Sequence, residues 1–275
     1  MTTFCEVVIF DEFSSRSNKA AEDILKEAKR LEKKYNYFDS SSYLAALNSK
    51  KERVLDMETK NILKLAKDFY KKTDKIFDIT VATFKDFYKN SKNLKELDKN
   101  IQSVKEYVGC EHFQIKKSKL YFDNPYTKLD LGGMIKEYAV DKAVKILKKH
   151  KIKSALVNFG GDIFALGKKP NGEKYSIGIK DPKEKNHFIT FALLENEALA
   201  TSASYERYLK VEDKKFSHII SATKQNQEIL SVSIISSSCL KSGIYATSLM
   251  IKPTLNINDK SIKIFDNYCK LVLGE

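Results

Sequence analysis

Tryptophan is absent from this chain of 275 residues, and its 4 prolines and 10 glycines are few. So little backbone punctuation advertises no Pro/Gly-rich linker or disordered tract. No run approaches the roughly 18 consecutive apolar residues of a membrane span. The opening "MTTFCEVVIF" has neither the basic start nor the long apolar core of a signal peptide. A soluble, cytoplasmic protein is the expectation. The 4 cysteines, Cys5, Cys110, Cys239 and Cys269, stand far apart with no C-x-x-C pair, which argues against a zinc framework or a disulfide scaffold. Arginine is scarce too: Arg16, Arg30, Arg53 and Arg207 are the only ones among 49 basic residues, although the formal charge is +13. Readout of nucleic-acid bases favours planar arginine forks. Lysines spread among 36 acidic residues describe instead a solvated basic surface with some attraction for anionic ligands. Also missing are G-x-G-x-x-G, Walker A, G-x-S-x-G and H-E-x-x-H, which removes the common signatures of dinucleotide domains, P-loop enzymes, serine hydrolases and zinc proteases.

What is present is a chain 42% hydrophobic, enough for a sizeable core and read here as one domain over residues 1–275. "EVVIF" reads as a first strand. Ala21, Ile24, Leu25, Ala28 and Leu31 then recur at helical spacing. "YFDSSSYLAALN" is a turn opening a short helix, and a further helix carries Ile62, Ala66, Phe69 and Tyr70. Residues 113–131 suggest a hairpin, "FQIKKSKLYF" then "YTKLDL", turning at "KKSK". An amphipathic helix follows Gly132–Gly133, with Ala139, Ala143, Ile146 and Leu147 inward and Lys148, Lys149 and His150 at its end, where the helix dipole favours cations. Beyond it come the apolar runs "SALVNFGGDIFALG", "YSIGIKDP", "HFITFALL" and "ILSVSIISS", a helix "CLKSGIYATSLMI", and a last strand "YCKLVL". Strands in succession with helices between groups of them predict an α+β fold with a mainly antiparallel sheet.

Read singly, the polar residues stay ambiguous. Asp130 caps the helix that starts at Gly132, or its turn offers N–H groups to a phosphate. Lys136 is a surface lysine or an anion ligand. His218 is a satisfied core histidine or a proton-transfer group. Thr247 is a packed helix residue or a ligand, and Gly160–Gly161–Asp162 is most simply a turn between strands.

Taken in order, however, the segments resemble the ApbE family, the FAD:protein FMN transferases. "LDLGGMIKEYAVDKA" resembles that family's D-L-G-G-I-A-K-G-Y-A-V-D, and "ALVNFGGDIFALG" its N-x-G-G-D-x-x-A-x-G. "YSIGIKDP" resembles W-x-x-G-I-x-D-P, and "ATSASYERYLKVEDKKFSHII" resembles T-S-G-x-Y-E-R followed by H-I-I-D-P. "YFDSSSYLAALN", "DKIFDITV" and "SGIYATSLM" resemble Y-x-x-x-S-E-L-x-x-L-N, G-A-F-D-P-T-V and A-D-A-L-A-T-A-L.

The resemblance implies a function: FAD held with a divalent cation, usually Mg²⁺, and its FMN half passed to a Thr or Ser hydroxyl of a partner flavoprotein, releasing AMP. In such phosphoryl transfer, positioning and charge neutralisation carry most of the work. By the same resemblance, Phe38 is the stacking aromatic, Ile76, Phe77 and Asp78 form the adenosine-side loop, and Met1, Asp130, Lys136 and Ile220 contact FAD. The Gly133 carbonyl and Thr247 serve the metal, and His218 assists deprotonation of the acceptor hydroxyl, with Thr247 the second catalytic residue. Four departures stand out. Gly243 occupies the place of a metal-binding aspartate, Glu137 follows Lys136 where the pattern has glycine, Ala203 replaces the glycine of T-S-G, and "SATKQ" follows "HII". Mg²⁺ prefers hard carboxylate oxygen, so a site of Thr247 and a carbonyl is expected to bind it weakly, and Gly243→Asp to strengthen it. The rival expectation is a degenerate family member that holds FAD without transferring FMN.

Overall fold

The computed structural model describes residues 3–11, 13–182, 184, 187–203, 208–211, 214–217, 229–265 and 269–272, and for residues 88–89, 208–211, 214–217, 260–265 and 269–272 the backbone alone. Strand β1 (Cys5–Phe10) leads into helix α1 (Ser14–Tyr35), then α2 (Tyr43–Asn48) and α3 (Met57–Lys72). A 3₁₀ turn at Ile79–Val81 precedes α4 (Ala82–Asn90) and α5 (Leu94–Val104). Next come the hairpin β2 (Phe113–Lys116) and β3 (Lys119–Phe122), helix α6 (Gly132–Lys149), and strands β4 (Ser154–Phe159) and β5 (Asp162–Leu166). Strands β6 (Tyr175–Lys180), β7 (Phe188–Leu194), β8 (Glu197–Ala203), β9 (Tyr208–Val211), β10 (Lys214–Ser217) and β11 (Ile229–Ser236) follow. Helix α7 (Cys239–Ile251) and strands β12 (Lys260–Phe265) and β13 (Cys269–Val272) close the chain.

The seven strands of the main sheet run in the order β1-β4-β5-β8-β11-β12-β13, and every neighbouring pair is antiparallel. The α+β expectation with a mainly antiparallel sheet therefore holds. Strand β5 lies mid-sheet and is buried along its whole length. Its Phe164 and Leu166 join the core beneath the helices. The alternate residues Ile163 and Ala165 face a second core under the β6–β7 hairpin, with Tyr175, Ile179, Leu194 and Leu199. The period-2 alternation of a strand thus welds helices to one face and a hairpin to the other.

Local chemistry explains the element ends. Ser42 accepts from the Ala45 N–H at 3.0 Å and Asp56 from Thr59 at 2.8 Å, capping α2 and α3 as short polar side chains do. The stripe on α1 runs through Ala20, Ile24, Ala28, Leu31 and Tyr35, so Ala21 and Leu25 fall outside it and are exposed. The hairpin ends at Phe122, and Lys117 and Ser118 form its two-residue turn with positive φ. "YTKLDL" does not pair as a strand. It is held instead by Asn48, which accepts from the Leu129 N–H and donates to the Leu129 carbonyl, both at 2.8 Å.

Helices α6 and α7 share one face of the sheet and run antiparallel to each other. The two carboxylate oxygens of Asp141 on α6 accept from the N–H groups of Cys239 and Leu240 at 2.8 and 3.1 Å, closing the first turn of α7. Among the described residues no helix is long and apolar enough to cross a membrane. Removing the carboxylate that joins the two helices leaves two buried N–H donors without it. Asp141→Ala should lower stability by about 1–3 kcal/mol, read as a lower urea midpoint with unchanged slope.

Candidate functional site

The turn before α6 builds one half of the site. The Asp130 carboxylate accepts from the Gly132 N–H at 2.8 Å and ion-pairs with Lys85. The Asp130 N–H reaches back to the Ile79 carbonyl at 2.8 Å. The Lys85 ammonium lies 4.6 Å from the ring centre of Phe38 and 4.8 Å from that of Tyr37. The Phe38 ring stands edge-on to Tyr37 and is 72% exposed. An apolar ring, an ammonium and a carboxylate thus lie together at an exposed glycine helix start, an arrangement able to receive an anionic aromatic ligand. So the helix-cap reading of Asp130 is correct, and it leaves the anion reading open, because Gly132 and Gly133 are both exposed.

The loop before the 3₁₀ turn flanks this half. Phe77 is buried, and its ring edge lies 3.6 Å from where a Cβ on Gly133 would stand. Asp78 is turned inward. Its carboxylate accepts from the Thr80 N–H at 2.8 Å and hydroxyl at 2.6 Å and from the Cys110 thiol at 3.5 Å, and burial raises its pKa against those bonds. Ile76 packs with the β11–α7 core.

The other half lies between α6 and α7. Lys136, read above as a surface lysine or an anion ligand, pairs at 2.6 Å with Asp162, whose side chain is 3% exposed. The contact is an ion pair rather than a well-aligned hydrogen bond. Asp162 starts β5 after the Gly160–Gly161 turn, confirmed by φ of 61° and 91°. A side chain on Gly160 would also strike the Thr3 hydroxyl. Burial lowers the pKa of Lys136, but Asp162 and Glu137 outweigh it and the net shift is upward. Next to it, Glu137 is 7% exposed. Burial first, and then the Asp162 carboxylate, push its pKa up. Its Oε2 has no hydrogen-bond partner.

Glu137 also bears on position 243. A Cβ built on Gly243 would lie 2.5 Å from Glu137 Cγ and 3.0 Å from Cδ and Oε1. The space above Gly243 is filled by the Glu137 side chain, so a side chain at 243 requires Glu137 to shift. Thr247, one turn further along α7, shares a hydrogen bond of 2.9 Å with the Ser202 hydroxyl on β8.

Met1, His218 and Ile220 lie outside the described residues. Of the remaining candidates, the structure gathers Phe38, Phe77, Asp130 and Gly133 at one end of α6, and Lys136 and Gly243 about the next turn. Lys85 and Asp162 were not anticipated, because each acts through a partner distant in sequence. Neither of the two described clefts, one around Lys50 and Phe122 and one around Glu111 and Tyr121, is lined by any candidate.

Comparison with known proteins gives this arrangement a setting. The family model described as the ApbE family matches residues 1–260. A Vibrio cholerae serotype O1 protein named FAD:protein FMN transferase is 28% identical over 158 residues, 56% of this chain and 47% of that protein. A Klebsiella pneumoniae (strain 342) protein of the same name is 30% identical over 134 residues, 47% of this chain and 40% of the relative. The matched stretch therefore spans about half the length of these relatives or less. The crystal structure of the apbe protein from Thermotoga maritima superposes with a TM-score of 0.85 at 25% identity, covering 99% of this chain and 94% of that one.

The packing at the helix crossing is directly testable. Gly243→Ala should cost about 1–3 kcal/mol through overpacking against Glu137, seen as a lower urea midpoint. An unchanged midpoint would mean that the Glu137 side chain leaves this space freely.

Proposed function

Because this chain belongs to the ApbE family, we propose that it is an FAD:protein FMN transferase, moving FMN from FAD to a Thr or Ser hydroxyl of a partner flavoprotein and releasing AMP. The observation that carries this reading is the row of Phe38, Lys85 and Asp130 at the glycine start of α6. The exposed Phe38 ring offers a face to an aromatic ring system. The positive end of the α6 dipole and the Lys85 ammonium, shared with Asp130, favour a pyrophosphate there. Phe77 packs beside Gly133.

The chemistry is an in-line exchange at phosphorus. The acceptor oxygen bonds to the flavin-side phosphorus, the bridging P–O bond breaks with its electron pair leaving on AMP, and the hydroxyl proton passes to a base. His218 is that base in this reading, and Ile220 and Met1 complete the FAD contacts. The donor set suits a hard cation: the Gly133 carbonyl on α6, the Thr247 hydroxyl on α7 and the partnerless Glu137 oxygen are all oxygen donors. A bound Mg²⁺ would supply charge neutralisation to the pyrophosphate. The residues of the chain do the rest: they orient the flavin, hold the phosphates in line and accept the proton.

The test incubates the full chain with FAD, Mg²⁺ and a flavoprotein carrying a D-G-x-[ST]-G-A-T type acceptor. Expected is in-gel flavin fluorescence on the acceptor and a mass gain of one FMN. FAD binding without any covalent flavin would instead support the degenerate, non-transferring reading.

A further inference from the structure

Two departures from the family pattern meet at one point in space. Position 137 carries a carboxylate where the pattern has glycine, and position 243 carries glycine where the pattern has an aspartate. They are adjacent turns of packed helices, and Glu137 Cγ, Cδ and Oε1 lie 2.5–3.0 Å from the missing Gly243 Cβ. A carboxylate has been withdrawn from α7 and another has entered the same space from α6. Resting on the transferase reading above, we infer that Glu137 is the charged divalent-cation ligand of this chain, standing in for the aspartate absent at Gly243.

Three observations carry this. The exchange conserves both side-chain volume and carboxylate count at the crossing: neither a glycine pair, which would leave a cavity, nor an acid pair, which would collide, is found. Secondly, Glu137 is more than nine-tenths buried with Oε2 lacking any partner, and a buried carboxylate oxygen left alone is costly unless something charged meets it. Its neighbour Lys136 is committed to Asp162. Thirdly, the antiparallel helices step in register. Asp141 meets Cys239 and Leu240 and Glu137 meets Gly243, so helical periodicity carries the seam one further turn toward Gly133 on α6 and Thr247 on α7. The donors sit on successive steps of one seam. Among the described residues no three His, Cys, Asp or Glu side chains converge, which suits Mg²⁺, a cation held by one or two carboxylates and completed by waters and substrate phosphate.

Binding of Mn²⁺ to the full chain saturated with FAD, followed by electron paramagnetic resonance of the free ion, tests this without relying on catalysis. Glu137→Gln keeps the shape and removes the charge. It should weaken Mn²⁺ by about tenfold or more, on the scale of losing a metal-site group, while FAD affinity without metal stays the same. Gly243→Asp alone should lower the melting temperature through the collision and give no tighter Mn²⁺ binding. The paired exchange Glu137→Gly with Gly243→Asp should recover Mn²⁺ affinity to within a few-fold of the parent. The inference is overturned if Glu137→Gln binds Mn²⁺ like the parent, if the paired exchange stays as weak as Glu137→Gln, or if the parent binds no Mn²⁺ with FAD in place. A parent chain that binds Mn²⁺ through Glu137 yet flavinylates no acceptor contradicts the transferase reading alone.

Discussion

The antiparallel seam between α6 and α7 is the constraint on which the rest of the site depends. Asp141 fixes its register by closing the first turn of α7 with two hydrogen bonds. Once that register is set, helical periodicity determines what meets on each following turn. Glu137 comes to rest over Gly243 because no other residue type at 243 leaves room for it. Both helices lie on one face of the same sheet, so β5 delivers Asp162 under Lys136 and β8 delivers Ser202 to Thr247. Catalytic geometry of this kind is best held by rigid elements, and here every ligand candidate at the seam stands on a helix or at a strand end.

The seam also explains why an acid tolerates burial there. An isolated buried carboxylate shifts toward its neutral form, as the raised pKa of Glu137 reflects. At the other end of α6 the physics is reversed: Asp130 is held by a backbone N–H and Lys85, and the aromatic Phe38 is left exposed beside them. One helix therefore presents a polar, anion-receptive start and, a turn later, a dry carboxylate.

Much of the architecture was legible in the sequence, and the failures have physical causes. The limits of α7 match the run "CLKSGIYATSLMI", whereas α6 takes Gly132 and Gly133 into its first turn instead of starting after them. Strand β8, "EALATSA", was not read as one because small residues have weak strand preference, and its pairing with β5 and β11 supplies what propensity lacks. Leu25 was placed inward on α1 although the stripe passes beside it. Lys136 reads as a solvent lysine until Asp162 arrives from a turn distant in the chain. The hardest case was the pair at 137 and 243. They are 106 positions apart in the chain, and only the packing of two helices puts them in one place.

An exchange of this kind moves the metal-binding carboxylate from α7 to Glu137 on α6. A crystal structure of the full chain with FAD and Mn²⁺, with anomalous diffraction used to place the ion, addresses it most directly. The account predicts a manganese peak at the α6–α7 seam with a Glu137 carboxylate oxygen in its coordination shell at about 2.1 Å, a spacing typical of small hard cations. A manganese ion bound with FAD but with Glu137 still folded against Gly243 and outside the shell would contradict it.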